Sequence, residues 1–516
     1  MHMVFKSPIR VAIVLFLWLY CLPLKSQKLS TNQYETLSRE YALASIPELR
    51  AFLSIPNNAL IEEHVENNLR FLELAFEKRR FSTQRLPSTS RTAFFAERIV
   101  QKSLPTVLVY MHFDGQPVDA RQWNQADPYQ PVLKRPLADG SYETVDWQTI
   151  TNTLPDEYRV FARSASDDKS PIIMFLAALD ALQSAGLEPS FNLKVILDPE
   201  EEQGSKSMPE VIDQFGDLLS ADHMVIFDGP VHDSNSPTLV FGCRGIAGIE
   251  LTVYGPRTPQ HSGHFGNYAP NPALRLAQLL SSMKDEGGKV TIPGFYDGID
   301  LTPEIKEILA AVPDDVTQIK KRVGIAETDK VGANYQEAMQ YPSLNIRGFR
   351  SGWVGAEART IVPEKAVATL DIRLVPESDG TRLVKLVKEH ILAQGYYLIE
   401  DRDPSEEERL THDKIIRFDH DPSEMWKAFN TPIHSKTGEW LYHSLKNVHQ
   451  QEVARIRLAG GSVPIAFFVN KLDIPAVLVP LVNPDNNQHS PNENIRMGHY
   501  RNGIKTILGV LTSSIE

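Results

Sequence analysis

The sequence predicts an α/β domain with a mixed, largely parallel sheet, interrupted by a smaller inserted α+β domain. In the first part of the chain, the apolar runs TVLVYMHFD, NLKVILDPEEE and DHMVIFDGP alternate with a helical segment, SPIIMFLAALDALQSAG. This alternation of strands and helices is typical of a parallel sheet. After about residue 245, GIELTVYG and KAVATLDIRLVPES alternate apolar and polar residues as antiparallel strands do. The α/β character returns after about residue 433, so we place the insertion at residues 245–432. A chain of 516 residues is also too long for one ordinary core.

The N-terminus is a predicted signal peptide, residues 1–27. Lys6 and Arg10 precede the 14-residue apolar run VAIVLFLWLYCLPL, which is shorter than the ~20 residues of a membrane-spanning helix. We therefore expect an exported protein, periplasmic or extracellular, with no stable membrane span once the leader is removed. An uncleaved membrane anchor is the alternative. Only Cys243 would remain after cleavage, so no intramolecular disulfide is expected.

The charge of the chain argues against nucleic acid as a partner. The formal net charge is −12, and no run of Lys and Arg offers a stripe that could follow phosphates.

The remaining elements follow from periodicity. Within residues 31–100, IPELRAFLSI and HVENNLRFLELAFEKRRF have helical spacing. In the insertion, NPALRLAQLLSSMKDEG and RLVKLVKEHILAQG predict helices, and RDPSEEERLTHDK is an exposed polar stretch. After residue 433, VPIAFFVN and IPAVLVPLV are interpreted as strands, followed by a final helix in NENIRMGHYRNGIKTILGVLTSSI.

Histidine and carboxylate residues follow several of these predicted strands, where α/β sheets bind their ligands. Each motif has a simpler interpretation as well: Asp114-Gly115 and Asp228 suit turns, and the Asp pair before the helix suits an N-cap. Taken together, and with no cysteine available, the residues suit two zinc-like divalent ions. A run of glutamates can then supply both a ligand and a general base. The candidates are His112, Asp114, Asp167, Asp168, Glu200, Glu201, Glu202, Asp228 and His489.

The order of these motifs resembles the co-catalytic zinc exopeptidases, a family that includes carnosine dipeptidases, carboxypeptidase G and aminoacylases. The matching motifs are His-x-Asp, Ser-Asp-Asp-Lys, Glu-Glu-x-Gly-Ser, Asp-Gly and a late His-Ser-x-Asn-Glu, between about residue 50 and the C-terminus. The resemblance implies two divalent ions per chain, zinc or alternatively manganese. It assigns one ion to His112 and Asp228, the other to Glu202 and His489, and the bridge between them to Asp167. Glu201 would be the general base, Asp114 would orient His112, and Glu200 would be a spare residue in solvent.

The resemblance also assigns roles to the insertion. It would be a lid and dimerisation domain between two catalytic segments, residues 28–244 and 433–516. His261 would reach the active site of the partner in a homodimer and polarise the scissile carbonyl. Substrate contacts would come from Thr360, Arg373, His420 and Ser462. The chain departs from the family at Ala162, Ser164 and Ser170, where relatives have glycine, and by an insertion between Pro128 and Arg159.

The function expected from this resemblance is hydrolysis of the peptide bond in dipeptides or short peptides. Asp at position 228, rather than Glu, favours a peptidase within the family. The alternative is an N-acyl-amino-acid amidohydrolase with the same two-metal chemistry. A non-catalytic binding protein would be expected to lack a ligand or the base, and none is missing.

Overall fold

The computed structural model describes residues 29–461 and 465–515. The predicted signal peptide and Ser462 lie outside these residues. In the described part of the chain, no helix combines the length and the apolar character needed to cross a bilayer.

The first segment alternates helices and strands. Its helices are α1 (Thr31–Ala44), α2 (Ile46–Leu53), α3 (Glu62–Glu77), α4 (Lys169–Ser184) and α5 (Met208–Leu219). Its strands are β1 (Ser82–Leu86), β2 (Ala93–Arg98), β3 (Thr106–His112), β4 (Val132–Pro136), β5 (Tyr142–Thr144), β6 (Arg159–Phe161), β7 (Asn192–Asp198), β8 (His223–Ile226), β9 (Thr238–Val240) and β10 (Gly242–Cys243).

The inserted segment begins with a ten-residue strand. Its strands are β11 (Gly245–Tyr254), β12 (Gln260–His261), β13 (Ser343–Ser351), β14 (Ile361–Val362), β15 (Lys365–Leu374), β16 (Tyr397–Ile399) and β17 (Ile415–Asp419). Its helices are α6 (Ser262–Phe265), α7 (Pro272–Ser281), α8 (Pro303–Ala310), α9 (Val316–Val323), α10 (Tyr335–Ala338), α11 (Gly380–Ala393) and α12 (Glu406–Thr411).

The last segment returns to the first one. It contains β18 (Phe429–Asn430), α13 (Lys436–His449), β19 (Ala454–Ile456), α14 (Ala466–Leu472), β20 (Ala476–Leu478), β21 (Asn494–Arg496) and α15 (Met497–Thr512).

The main sheet has eight strands in the order β1-β2-β7-β3-β8-β20-β9-β19. The pairs β7/β3, β3/β8, β8/β20 and β9/β19 are parallel, whereas β1/β2, β2/β7 and β20/β9 are antiparallel. The mixed, largely parallel sheet is thus confirmed. Because β20 comes from the last segment and lies beside β8 of the first, both segments build one domain. Helices α4 and α15 pack on this sheet in one apolar core.

The inserted segment has a separate sheet in the order β13-β15-β11-β17-β16, antiparallel except for β16/β17. Helices α7 and α11 cover it and form a second core with its apolar residues. The chain leaves the main domain through β10 and returns through β18, and these two strands pair antiparallel. At this junction a Cβ on Gly242 would lie 2.2 Å from the carbonyl oxygen of Phe429, so the close crossing requires glycine.

Two local predictions were wrong. Residues 82–98 form strands β1 and β2 rather than continuing the predicted helical region. The VPIAFFVN segment is not a strand, because helix α14 spans Ala466–Leu472. A short apolar run has no decisive periodicity, and here Phe468 and Leu472 pack as one helical face against α5.

The insertion between Pro128 and Arg159 forms part of a small sheet. Strands β21, β6, β4 and β5 lie side by side in that order, all antiparallel. Through this sheet, residues 128–159 are linked to the segment that precedes α15, and the same segment carries His489.

Candidate metal centre

His112 lies at the carboxyl end of β3, fully buried. Its Nδ1 is 3.3 Å from Oδ1 of Asp114, and its Nε2 is 2.9 Å from Oδ1 of Asp167. The Asp114 carboxylate also accepts hydrogen bonds from the main-chain N–H groups of Glu201, at 3.0 Å, and Glu202, at 3.2 Å. Asp114 therefore fixes the imidazole and the glutamate loop relative to each other.

Asp167 is shared by two clusters of candidate ligands. The first contains His112, Asp167 and Asp228, and the second contains Asp167, Glu202 and His489. Within each cluster the ligand atoms lie within 4.8 Å of one another. His489 Nε2 is 3.1 Å from both Asp167 Oδ2 and Glu202 Oε2. The five residues that the sequence nominates as ligands thus meet at one edge of the sheet, arranged in the pairs that the resemblance implies.

The glutamate run follows β7 as a single 3₁₀ turn, Glu201–Gln203, that ends at Gly204 with φ of +85°. This left-handed conformation favours glycine. The expectation that Glu200 is a spare residue in solvent was wrong. Glu200 is buried and accepts hydrogen bonds from Ser90 Oγ at 2.8 Å and from Ser207 N–H at 2.6 Å. It anchors the loop from behind, while the next two glutamates lie at the centre.

Asp198, at the end of β7, anchors the same loop. Its carboxylate accepts a hydrogen bond from the Tyr110 hydroxyl at 2.9 Å and from the main-chain N–H of Glu200 at 2.9 Å. The Ser205 hydroxyl also donates to it. These contacts hold both ends of the turn against the strand.

The carboxyl groups of the centre resist ionisation. Burial raises the pKa of Glu201 well above its usual value, and nearby carboxylates add to this effect. Burial, reinforced by Asp167, raises the pKa of Glu202 to about 8. Burial also raises the pKa of Asp228 to about 6. The raised pKa values show that negative charge at these carboxyls is unfavourable without a compensating positive charge.

The imidazoles show the complementary effect. The hydrogen bond to Asp167 raises the pKa of His489 to about 9, although burial opposes it. Burial also opposes protonation of His112, but hydrogen bonds to Asp114 and Asp167 hold its pKa well above its usual value. Protonated imidazoles reduce the repulsion among the carboxylates of the metal-free centre, and two bound divalent cations would reduce the same repulsion.

The donor set fits two zinc-like ions. Imidazole nitrogen and carboxylate oxygen are ordinary zinc ligands, and two donors on one tetrahedral zinc lie about 3.3 Å apart. The 2.9 Å and 3.1 Å separations around Asp167 are close to that spacing. Glu201 belongs to neither cluster, which leaves its carboxylate available beside them.

Glu493, whose role was missed by the sequence reasoning, holds the loop that carries Asp167. Its carboxylate is fully buried and faces five donors. Oε2 accepts from the Ser164 N–H at 2.9 Å and from Arg163 at 2.7 Å. Oε1 accepts from the Ser166 N–H at 2.9 Å, the Ser166 hydroxyl at 3.0 Å and the Asp167 N–H at 3.0 Å.

A signal for Glu493 was present in the sequence. It is the glutamate of the His-Ser-x-Asn-Glu motif, four residues after His489. Through its hydrogen bonds to residues 163–167, Glu493 links the segment that carries His489 to the loop that carries Asp167.

The predicted residues of the inserted domain contribute no ligand atom to either cluster. His261 and Thr360 are exposed, on or beside the small β12/β14 ribbon, where the Ser262 N–H donates to the Thr360 carbonyl at 3.0 Å. Neither side chain has a recorded contact with a candidate ligand among the described residues. Arg373 lies on β15, with its Nε 3.7 Å from the carboxylate of Asp371.

His420 follows β17. Its Nδ1 is 2.8 Å from the carbonyl oxygen of Gly248, within the inserted domain. Arg373 lies on β15 and His420 directly follows β17, and these two strands flank β11 in the sheet of the inserted segment.

Two adjacent cation positions built from imidazole and carboxylate, with a free glutamate beside them, define a metal-dependent hydrolase. Residues 108–513 match the Peptidase family M20/M25/M40, and the protein belongs to this family. It is a metallopeptidase.

Several known proteins resemble the chain along most of its length. The Cys-Gly metallodipeptidase of Schizosaccharomyces pombe is 27% identical over 412 residues, which cover 78% of each chain. The human Beta-Ala-His dipeptidase is 26% identical over 413 residues, covering 78% of this chain and 73% of the relative. Among solved structures, an M20 family metallo-carboxypeptidase from Sulfolobus solfataricus superposes with a TM-score of 0.70 at 28% sequence identity. The match covers 91% of this chain and 98% of the carboxypeptidase chain. Human carnosine dipeptidase 1 has a TM-score of 0.68 at 20% identity, covering 94% and 98%, which shows the shared fold.

Proposed function

We propose that the protein is a dipeptidase that hydrolyses the peptide bond of dipeptides or short peptides with two divalent metal ions. The observation that supports this most directly is the position of Asp167 between the imidazoles of His112 and His489, with Glu201 beside both clusters. The similarity to dipeptidases over 78% of the chain supports the substrate class.

His112 and Asp228 would hold one ion, Glu202 and His489 the other, and Asp167 would bridge them. When bound, the ions lower the pKa of a water molecule and polarise the scissile carbonyl. Glu201 takes the proton from the attacking water and delivers it to the leaving amine. We propose zinc as the metal, with manganese as the alternative.

We further propose a homodimer formed through the inserted domain, in which His261 acts in the site of the partner. The edge strand β13 supports this interface, since its Ile346 and Phe349 are 46% and 47% exposed and Val354 just beyond it is 86% exposed. An open strand edge with apolar side chains is usually covered in the native assembly. The exposed position of His261 agrees with a role outside its own subunit.

Within this site, Arg373 would bind the terminal carboxylate of the substrate, because a guanidinium pairs bidentately with that group. Thr360, His420 and Ser462 would complete the contacts to the substrate. For residues 1–27, we propose that they direct export to the periplasm or the extracellular space. A mature protein that starts near residue 28 by mass spectrometry supports this, and an intact N-terminus supports the anchor.

The deciding experiment is dipeptide hydrolysis by the protein without residues 1–27, before and after chelation and with zinc or manganese added back. Activity that disappears with chelator and returns with metal supports the proposal. Cleavage of an N-acetyl amino acid but not of an alanyl dipeptide would favour the amidohydrolase instead. Failure to bind metal on reconstitution would refute the ligand assignment.

Glu201→Gln tests the general base. Turnover should be abolished while both metal ions stay bound, because Glu201 is outside the ligand clusters. The exposed Glu286→Gln change is the matched control and should leave turnover unchanged. Loss of a metal ion in Glu201→Gln would contradict the assignment.

The shared site is tested by mixing two inactive chains. His261→Ala and Glu201→Gln variants, once exchanged into heterodimers, should regain part of the activity because one of the two sites is then intact. Heterodimers demonstrated by mass that remain inactive would contradict a site built from both subunits.

A further inference from the structure

A cleft of about 320 Å³ opens beside Asp228. We call it the Asp228 cleft. It lies between the loop after β8, the ends of β9, β19 and β20, and helices α9 and α10 of the inserted segment. Its size is at the lower end of the range for small-molecule sites, about 300–1,000 Å³. This suits one residue of a small substrate rather than a long peptide.

The floor of the cleft is apolar. Val240, Leu458 and Leu478 are almost fully buried, and Ile456 and Met339 complete the surface. Val240, Ile456 and Leu478 lie on strands β9, β19 and β20 of the main sheet, whereas Leu458 follows β19 and Met339 follows α10. A group that enters the cleft must exchange water for contact with hydrocarbon.

The charged groups of the wall are already paired with one another. Arg322 donates to the carboxylate of Asp233. His232 Nε2 is 3.0 Å from Oδ1 of Asp314, and the Gln336 amide donates to Oδ2 of the same carboxylate at 3.0 Å. The His232–Asp314 pair is buried, whereas the Arg322–Asp233 pair lies at the exposed rim of the cleft. A charged substrate group on the apolar floor would lose water without gaining an unpaired partner, and this is costly.

We infer that the Asp228 cleft binds an uncharged, apolar side chain of the peptide substrate and thereby sets the specificity of the enzyme. This inference rests on the proposed peptidase function. Asp228 is a candidate metal ligand at one end of the cleft, so a side chain lying on the apolar floor stays next to the reacting bond. Residues 303–340 of the inserted domain form one wall of the cleft, so this segment would contribute to substrate choice.

The test is a set of kcat/KM values for two dipeptide series, X-Gly and Gly-X, with X as Gly, Ala, Leu, Met, Asp and Lys. We expect one series to favour Leu and Met over Gly, Asp and Lys by about tenfold or more, the size of effect that apolar pockets give. The series that responds identifies the residue that enters the cleft. Comparable values for all six residues in both series would overturn the inference while leaving the peptidase function intact. No hydrolysis of any dipeptide would overturn the proposed function and this inference with it.

Two variants test the location of the effect. In Gly460→Leu the new side chain would extend into the cleft, since a Cβ there has Met339 Sδ at 3.5 Å as its nearest neighbour. The ratio of kcat/KM for the Leu and Ala substrates should fall about tenfold. Met339→Lys places a charge on the floor and should reduce the preference for Leu over Asp. Both readouts are ratios within one variant, so a general loss of activity does not mimic them.

Leu410→Lys is the control, because Leu410 is 81% exposed on α12, in the part of the inserted domain that does not line the cleft. Its substrate ratios should equal those of the unmodified protein. Unchanged ratios in both cleft variants would place the specificity elsewhere and refute the inference.

Discussion

Replacing Glu493 by Gln tests how the loop of Asp167 is held. With its oxygen in the position of Oε1, the Gln side chain keeps the three donors from Ser166 and Asp167. Its NH₂ group then faces the Ser164 N–H and the Arg163 guanidinium, which lose their acceptor. Breaking a buried ion pair from one side costs about 3–5 kcal/mol. We expect the free energy of unfolding to fall by about that amount.

The same substitution should weaken metal binding. Loss of the contacts that orient a metal ligand typically lowers metal affinity about 10- to 100-fold. In Glu493→Gln the Asp167 N–H keeps its acceptor, but Arg163 and Ser164 in the preceding loop lose theirs. The affinity of the protein for both ions should fall, because Asp167 would be a ligand to each of them.

Two measurements separate these effects. Urea unfolding in the presence of chelator gives the stability of the metal-free protein, and competition with a chromophoric chelator gives the affinity for zinc under native conditions. Glu157→Gln, at an exposed glutamate, is the control and should change neither. Reduced stability with unchanged zinc affinity would show that Glu493 supports only the fold, and unchanged stability would refute the cost derived for the pair.

Two other predictions follow from buried charge. Folding raises the pKa of His489 from 6.5 to about 9 and that of Glu202 from 4.5 to about 8, so the folded chain retains protons that the unfolded chain releases. The metal-free protein should therefore lose stability as pH rises from about 6 to 9, and zinc should reverse this trend because its ligands must be deprotonated. Thermal unfolding across this pH range, with chelator or with zinc, measures both, and stability that rises with pH in chelator contradicts the reasoning. Lys169→Met should lower the free energy of unfolding by about 1–3 kcal/mol, because the buried Nζ donates to the carbonyl oxygens of Phe52 at 2.9 Å and Ile55 at 2.7 Å. The Phe52 carbonyl keeps the Ile55 N–H as a donor at 3.2 Å, so the Ile55 carbonyl is the group left unsatisfied. Urea unfolding measures this change, and an effect below 1 kcal/mol would show that water replaces the ammonium group.

Part of the candidate centre was accessible from the sequence because His112, Glu202 and Asp228 lie at or just after the carboxyl ends of strands in one sheet. His112 is the last residue of β3 and Asp228 lies two residues beyond β8, and these strands are parallel neighbours, so the proximity of the two residues follows from the strand order alone. Asp167 and His489 come from loops, and only the order of the motifs indicated that they belong with the others. The sheet itself was predictable in its centre, where the apolar runs are long.

What the sequence did not reveal depends on partners far along the chain. Glu200 was expected in solvent because the match to the Glu-Glu-x-Gly-Ser motif left it without a role, but Ser90, on a loop 110 positions earlier, donates to its carboxylate. The strand assignment of VPIAFFVN failed because apolar residues alone do not distinguish a buried strand from a helix. In both cases the deciding contact is tertiary and has no local signature.

The three consecutive glutamates show why local geometry decides their roles. Glu200 precedes the 3₁₀ turn and has a non-helical conformation, with φ of −152°. Glu201 and Glu202 lie within the turn, where about three residues per turn make successive side chains point about 120° apart. Glu200 points back to Ser90 and Ser207, Glu202 joins Asp167 and His489, and Glu201 lies outside both ligand clusters. The three identical side chains are therefore not interchangeable, because Glu200 anchors the loop and only Glu201 and Glu202 face the candidate metal centre.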